Sequence, residues 1–156
     1  MKPFFDSPLR CAALRASADA WLRTPWVPYS QLRGVGVSCH QLCLAIYVEL
    51  GVLPPVSIPL RGFGAKHRAP AMDWLNSRPE LIRTEDEFRA GDLLLLIEDR
   101  LHFAIVMPGA DDGPPQQLVQ CIGRHGVHYH SLHDASVLRF LTGVWRPLEQ
   151  LQPEGQ

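Results

Sequence analysis

The stretch Gly34-Val-Gly-Val-Ser-Cys-His-Gln-Leu-Cys-Leu-Ala-Ile-Tyr-Val-Glu-Leu-Gly51 constrains the fold of this chain more than any other part of it. Cys39, Leu42, Cys43, Ile46 and Leu50 recur at helical spacing, and Leu44, Ala45 and Val48 make the opposite side apolar too. A helix apolar nearly all round has to sit inside a core. Ser38 followed by Gln41 has the pattern of a capping box, and Gly51 supplies a left-handed stop. Cys39 then stands in the first turn of a central buried helix. Free amide N–H groups and the positive end of the dipole favour a thiolate there, so its pKa is expected below that of a free thiol. The plainer reading of Cys39 is one more buried apolar side chain.

At 156 residues the chain has the length of one domain, assigned to residues 1–148, with a flexible tail over 149–156. Hydrophobic residues make up 46% and charged residues 20%, which is a globular composition. A net charge of −1 leaves no basic excess to hold nucleic acid or an anionic membrane. No apolar run reaches membrane-spanning length, and Leu93 to Ile97 is strand-sized, so no membrane span is expected. Met1 to Asp6 contains no apolar signal core, which points to a chain that is cytoplasmic as synthesised. Cys11, Cys39, Cys43 and Cys121 are few and irregularly spaced, as free thiols are.

Ser7-Pro8 opens a helix expected to run to about Arg23 before Thr24-Pro25, with Leu14, Ala18, Trp21 and Leu22 inward. Trp26 and Tyr29 lie in the irregular segment leading to the central helix, placed to line whatever forms at its start; Trp26 also reads as a loop anchor. Val52 to Gly64 reads as a surface loop. A short helix is expected over 70–76 with Met72 and Leu75 inward, and a helical turn over 84–88. Strands follow at 93–97, 102–107, 118–122, 127–131 and 144–147, the first apolar on both faces and so central. Helices first and antiparallel strands afterwards make an α+β domain.

A cysteine nucleophile needs a base, and the base needs an orienting partner. His102 shares a strand face with Ala104 and Val106. Gln120 is the lone polar side chain in Leu-Val-Gln-Cys-Ile. A hairpin pivoting at Asp111 pairs positions summing to 222 and sets His102 opposite Gln120; a pivot at Asp112 makes the contact diagonal. The alternatives are a surface histidine at a strand start and an amide turned to water. His125, His128, His130 and His133 invite a metal reading, but their spacings and that of Cys39-His40-x-x-Cys43 match no established site. No metal or cofactor is expected.

Trp21-Leu-Arg-Thr-Pro-Trp26, Gly34-Val-Gly-Val-Ser-Cys39-His-Gln-Leu, Ala90-Gly-Asp-Leu93, His102-Phe-Ala-Ile-Val106, Leu118-Val-Gln120-Cys and Trp145-Arg-Pro147 stand in one order along residues 20 to 147. This ordered set resembles the NlpC-type cell-wall cysteine peptidases, nearest to the form found in phage and prophage tails. The resemblance implies a papain-like α+β fold, with the central helix packed on an antiparallel sheet. It implies Cys39 as nucleophile, His102 as base and Gln120 as orienter, acting on amide bonds of peptidoglycan stem peptides. Phage tail proteins are the partners, and a tail or the cell wall the destination, that it suggests. Three positions depart from the family pattern: Ser38 replaces an aspartate, His40 a small residue, and Trp26 a tyrosine, which leaves Tyr29 as the local phenol. An acyltransferase or amidase on the same fold, or a catalytically silent binding module, are the rival readings.

Overall fold

The computed structural model describes residues 1–151. Helix α1 spans Pro8–Trp21, with the Ser7 side chain accepting from the Arg10 amide. It ends two residues earlier than expected, because Arg23 adopts a positive φ of 70°. Ser17 is buried on its inner face with Leu14, Ala18 and Trp21, while Leu22 is only half-buried. Two short strands, β1 (Gln31–Leu32) and β2 (Gly36–Val37), pair antiparallel and deliver the chain to α2, Cys39–Glu49.

Helix α2 is the core of the molecule. Cys39, Leu42, Cys43, Ile46 and Tyr47 are buried, and the helix packs on α1 and the main sheet. Gly51, at φ +80°, ends it as expected: its own amide reaches Val48 O and the next reaches Tyr47 O at 2.8 Å. The Tyr47 hydroxyl donates to Gly91 O at 2.6 Å, pinning the helix to the turn before the sheet.

Helix α3 covers Arg68–Ser77, with Ala71 and Leu75 buried. Met72, expected inside, is half-buried beside the Arg68 guanidinium. Strand β3 (Leu81–Arg83) was not expected, and residues 84–88 form no helix: the Thr84 hydroxyl instead accepts from the Asp86 amide two residues on. The segment after Gly51 is not a plain surface loop either. Val52, Leu53, Ile58 and Leu60 are buried in the core, because apolar side chains there find the space beside α2.

Strands β4 (Leu93–Ile97), β5 (Leu101–Val106), β6 (Gln117–Ile122), β7 (Gly126–Ser131) and β8 (Leu141–Pro147) complete a six-stranded antiparallel sheet in the order β3-β8-β4-β5-β6-β7. The all-leucine run does lie at the middle, and β8 starts three residues earlier than expected. Leu93, Leu95, Phe103, Ile105, Val119 and Cys121 face α2. Leu94, Leu96, Ala104, Val106 and Leu118 face the other way, with Val137 of α4 (Ala135–Phe140), a helix that the sequence reading missed. Ile105 pairs with Val119 and Val106 with Leu118, so positions sum to 224, which sets the pivot at Asp112 rather than at Asp111.

Two features brace this sheet. Arg146 forms a forked pair with Asp92, with both N–O distances 2.9 Å and the carboxylate fully buried. Farther out, the segment Arg23–Trp26 joins two strands. It exchanges hydrogen bonds with Val127 of β7 (Arg23 N to Val127 O, 3.0 Å; Val127 N to Thr24 O, 2.9 Å), and Pro25 O accepts from the Val37 amide of β2 at 2.9 Å. Gly126 permits this approach: a Cβ there would stand 2.4 Å from Thr24 O, and φ is +60°. Of the expected tail, the Glu149 amide donates to Lys2 O, and residues 152–156 lie outside the described residues.

Candidate active site

Ser38 stands at the N-cap of α2 in extended conformation (φ −99°, ψ 170°), but its side chain makes no capping bond. Its hydroxyl is buried without a partner among the described residues. The expected capping box does not form because Gln41 is engaged elsewhere: Gln31 Nε2 donates to the Gln41 side-chain and backbone oxygens, both at 3.0 Å.

Cys39 follows, 3% exposed, with its thiol 4.0 Å from Leu101 O. Burial pushes this thiol up to about 11, and the backbone amides of Phe103, His40 and Cys39 itself pull it only partly back. The expectation of a lowered pKa is therefore corrected. The helix N-terminus is there, but desolvation of a buried thiolate outweighs it. At rest Cys39 is a neutral thiol. It meets β5 through the backbone on either side of His102.

His102 is half-buried, near the start of β5. Its Nε2 lies 2.7 Å from Gln120 Oε1. Gln120 is 5% exposed, and its Nε2 lies 3.1 Å from His128 Nε2. His128 Nδ1 in turn donates to Gly126 O at 2.9 Å. Burial lowers the pKa of His102, the bond to Gln120 acts against that, and His128 and His130 add to the lowering. The ring is thus neutral, and able to accept a proton, below the usual histidine range.

Cys39, His102 and Gln120 line one cleft of about 700 Å³. Trp26 and Phe63 form part of its wall, Glu98, Asp99 and Arg100 part of its rim, and Phe140 of α4 another part of its lining. A larger hollow of about 1470 Å³ lies beside the 108–117 loop; it contains Cys11 but no histidine, so it offers no nucleophile–base pair. Among the described residues no three His, Cys, Asp or Glu side chains gather as a metal site.

Tyr29, the expected phenol, is not in the cleft wall. It is 49% exposed, has φ 60°, and packs on Phe63 with ring centroids 5.3 Å apart. His40 lies behind the wall, fully buried among Tyr29, Phe63 and Phe103, its Nδ1 without a partner among the described residues. The sequence reading missed Phe63, Phe140 and the contact of His128 with Gln120. Asp134 ahead of Ala135-Ser136 was a visible helix cap, and its carboxylate does accept from the Ser136 amide. Nothing in the sequence pointed to Phe63.

His40 makes stability depend on pH. Burial lowers its pKa from 6.5 to about 4. Below 6.5 the unfolded chain takes up a proton that the folded chain refuses. The stabilisation is complete above that pH and is lost as pH falls towards 4, by about 3 kcal/mol. His102, shifted the same way, adds to the loss. Urea unfolding of the wild type and His40→Phe at pH 7 and pH 4 is expected to show a markedly smaller decline in the variant. Equal declines would remove His40 as the cause.

No family sequence model matches the chain, and no curated protein matches it by sequence. Solved structures do match. The NlpC/p60 domain of the peptidoglycan hydrolase SagA superposes with TM-score 0.55 at 18% identity, covering 89% of this chain and 98% of that one. A Staphylococcus aureus Mu50 protein described as similar to a lipoprotein of the NLP/P60 family gives TM-score 0.63 at 17% identity, covering 96% and 45%. An NlpC/P60 family protein from Bacillus cereus ATCC 10987 gives 0.58 at 16% identity, covering 86% and 39%. This chain thus spans less than half of the two longer proteins. The fold is the papain-like α+β fold of NlpC/p60 domains, with N-terminal helices and a central helix on an antiparallel sheet.

Proposed function

We propose that the chain is a cysteine peptidase that hydrolyses amide bonds in peptidoglycan stem peptides. The observation that carries this reading is the 2.7 Å bond between His102 and Gln120 in the cleft that holds Cys39 at a helix N-terminus. With Nε2 engaged by Gln120, the other nitrogen of His102 takes the Sγ proton as sulfur attacks the substrate carbonyl. The oxyanion develops beside the first-turn amides that face the thiol. His102 returns the proton to the leaving amine, and water then hydrolyses the thioester. Trp26 and Phe63 offer the stem peptide an apolar wall. Tyr29 and His40 buttress Phe63, and Ser38 starts the helix that presents the thiol. The names of the structural neighbours support the substrate class. Assembly into a phage or prophage tail, or delivery to the cell wall, is the finer part of the proposal and rests on the sequence resemblance at Trp21–Trp26, Gly34–Cys39 and the helix end at Gly51.

The burial of Cys39 favours one rival, the silent module. Purified stem peptides incubated with the wild type and with Cys39→Ser, and followed by mass spectrometry, separate the readings. A peptidase yields two fragments whose masses sum to substrate plus one water, and only with the wild type. Transfer to an added amine without net hydrolysis marks an acyltransferase. An unchanged substrate marks the silent module.

A further inference from the structure

We propose that His128 is a positioning residue that fixes the amide orientation of Gln120 and, through it, the tautomer of His102. The catalytic meaning of this inference rests on the peptidase reading, whereas the hydrogen-bond order behind it does not.

The order follows from donor and acceptor inventory. Gly126 O only accepts, so His128 Nδ1, at 2.9 Å, carries the proton. In the neutral ring Nε2 is then an acceptor. The group facing it at 3.1 Å is the Gln120 NH2, a donor. That leaves the Gln120 oxygen towards His102, where it accepts from Nε2–H at 2.7 Å. His102 is left with its lone pair on Nδ1. Each link allows only one choice at the next. A Gln120 turned the other way would set NH2 against His102 Nε2 and leave its oxygen facing an unprotonated His128 nitrogen.

Protonated His128 reverses the order. Its Nε2–H needs an acceptor, so the amide turns over and offers its oxygen to His128. The NH2 group now meets His102 Nε2, which must accept, and the His102 proton moves to Nδ1. The nitrogen needed as a base is then occupied. The titratable and charged groups around His128 are His102 from β5, His125 in the turn before β7 and His130 on β7, with ring centroids 5.4 Å and 6.3 Å away for the latter two. Asp134, at the head of α4, holds His130 at 2.9 Å, and Glu98, Asp99 and Arg100 line the same cleft.

Nitrogen-15 NMR of the histidine rings in the full chain tests this without any substrate. At neutral pH the wild type is expected to show His102 as the Nε2–H tautomer and His128 as the Nδ1–H tautomer. His128→Lys puts a permanent donor opposite Gln120 and should convert His102 to the Nδ1–H form. Adding Gln120→Glu supplies an acceptor to both neighbours and should return His102 to Nε2–H. In turnover, His128→Lys should lower kcat roughly 100-fold with KM little changed, and the double variant should recover about tenfold of that. Lost packing would not be repaired by a second substitution. If His128→Lys fails to fold, acid titration of the wild type decides: the tautomer of His102 must switch as His128 gains its proton. His128 found as Nε2–H at neutral pH, or His102 unchanged in the lysine variant, overturns the inference. The expected tautomers without any cleavage of stem peptides support it and overturn only the peptidase reading.

Discussion

Removing His102 is expected to lower amide hydrolysis at pH 7 by at least about four orders of magnitude, and raising the pH is expected to restore the part due to thiol ionisation but not the part due to protonation of the leaving amine. The cause is the buried thiol. With a pKa of about 11, only roughly one Cys39 in ten thousand is ionised at pH 7 without help. On the proposed mechanism the base deprotonates the thiol as it attacks, so this small fraction does not limit the rate of the wild type. In His102→Ala it does. The rate of the variant should then rise about tenfold per pH unit towards pH 11, until the fold itself fails. Cys39→Ala should be equally inactive at pH 7, with no recovery at any pH. The double variant should be no worse than Cys39→Ala, since residues acting as one unit are not additive. Rates of stem-peptide cleavage from pH 6 to pH 10 provide the check. A His102→Ala profile that stays flat would mean that the thiol is ionised by another group.

Asp92→Ala is expected to cost about 3–5 kcal/mol of stability, since it leaves the Arg146 guanidinium buried without its carboxylate. It also strips the Arg89 amide of its acceptor at 2.9 Å. Asp86, the other carboxylate near Arg146, is exposed and 3.5 Å away, and cannot substitute. The thermal midpoint should fall by roughly 10 °C. Replacing both partners, Asp92→Leu with Arg146→Met, should cost less than Asp92→Ala alone, because no unpaired charge remains. Urea unfolding of the three variants measures this. A double variant less stable than the single would show that the pair stabilises by more than avoiding its own desolvation.

The parts of the fold that could be read from the sequence rest on short-range periodicity. Helix α2 and its stop at Gly51 follow from 3.6-residue spacing and one glycine. The central place of β4 follows from a run apolar on both faces. Parity put His102 and Gln120 on one side of the sheet, and their side chains do touch, in the diagonal register of a pivot at Asp112 rather than the direct one of a pivot at Asp111. The loop between them carries a helical turn over Ala110–Asp112, with both aspartates at positive φ, and no residue pattern marked that. What depends on burial was out of reach. The helix start predicted an acidic thiol, whereas enclosure by β5 and β6 makes it a weak acid. Tyr29 is near the site in sequence but turned outward, and the loop around Phe63 looked like surface because its prolines and glycines mask the apolar side chains between them. His128 looked like one of four scattered histidines until the pairing of β6 with β7 set it beside Gln120.

The Arg23–Trp26 segment has a consequence for mechanical tolerance. It is bolted to Val127, next to His128, and to Val37, two residues before Cys39. The strand that carries the outer histidine and the strand that delivers the thiol therefore share one short strut. An outermost strand ordinarily loosens first, yet here it is held at both ends, by the strut beside His128 and by Tyr129 on Asp19 and His130 on Asp134 at the other.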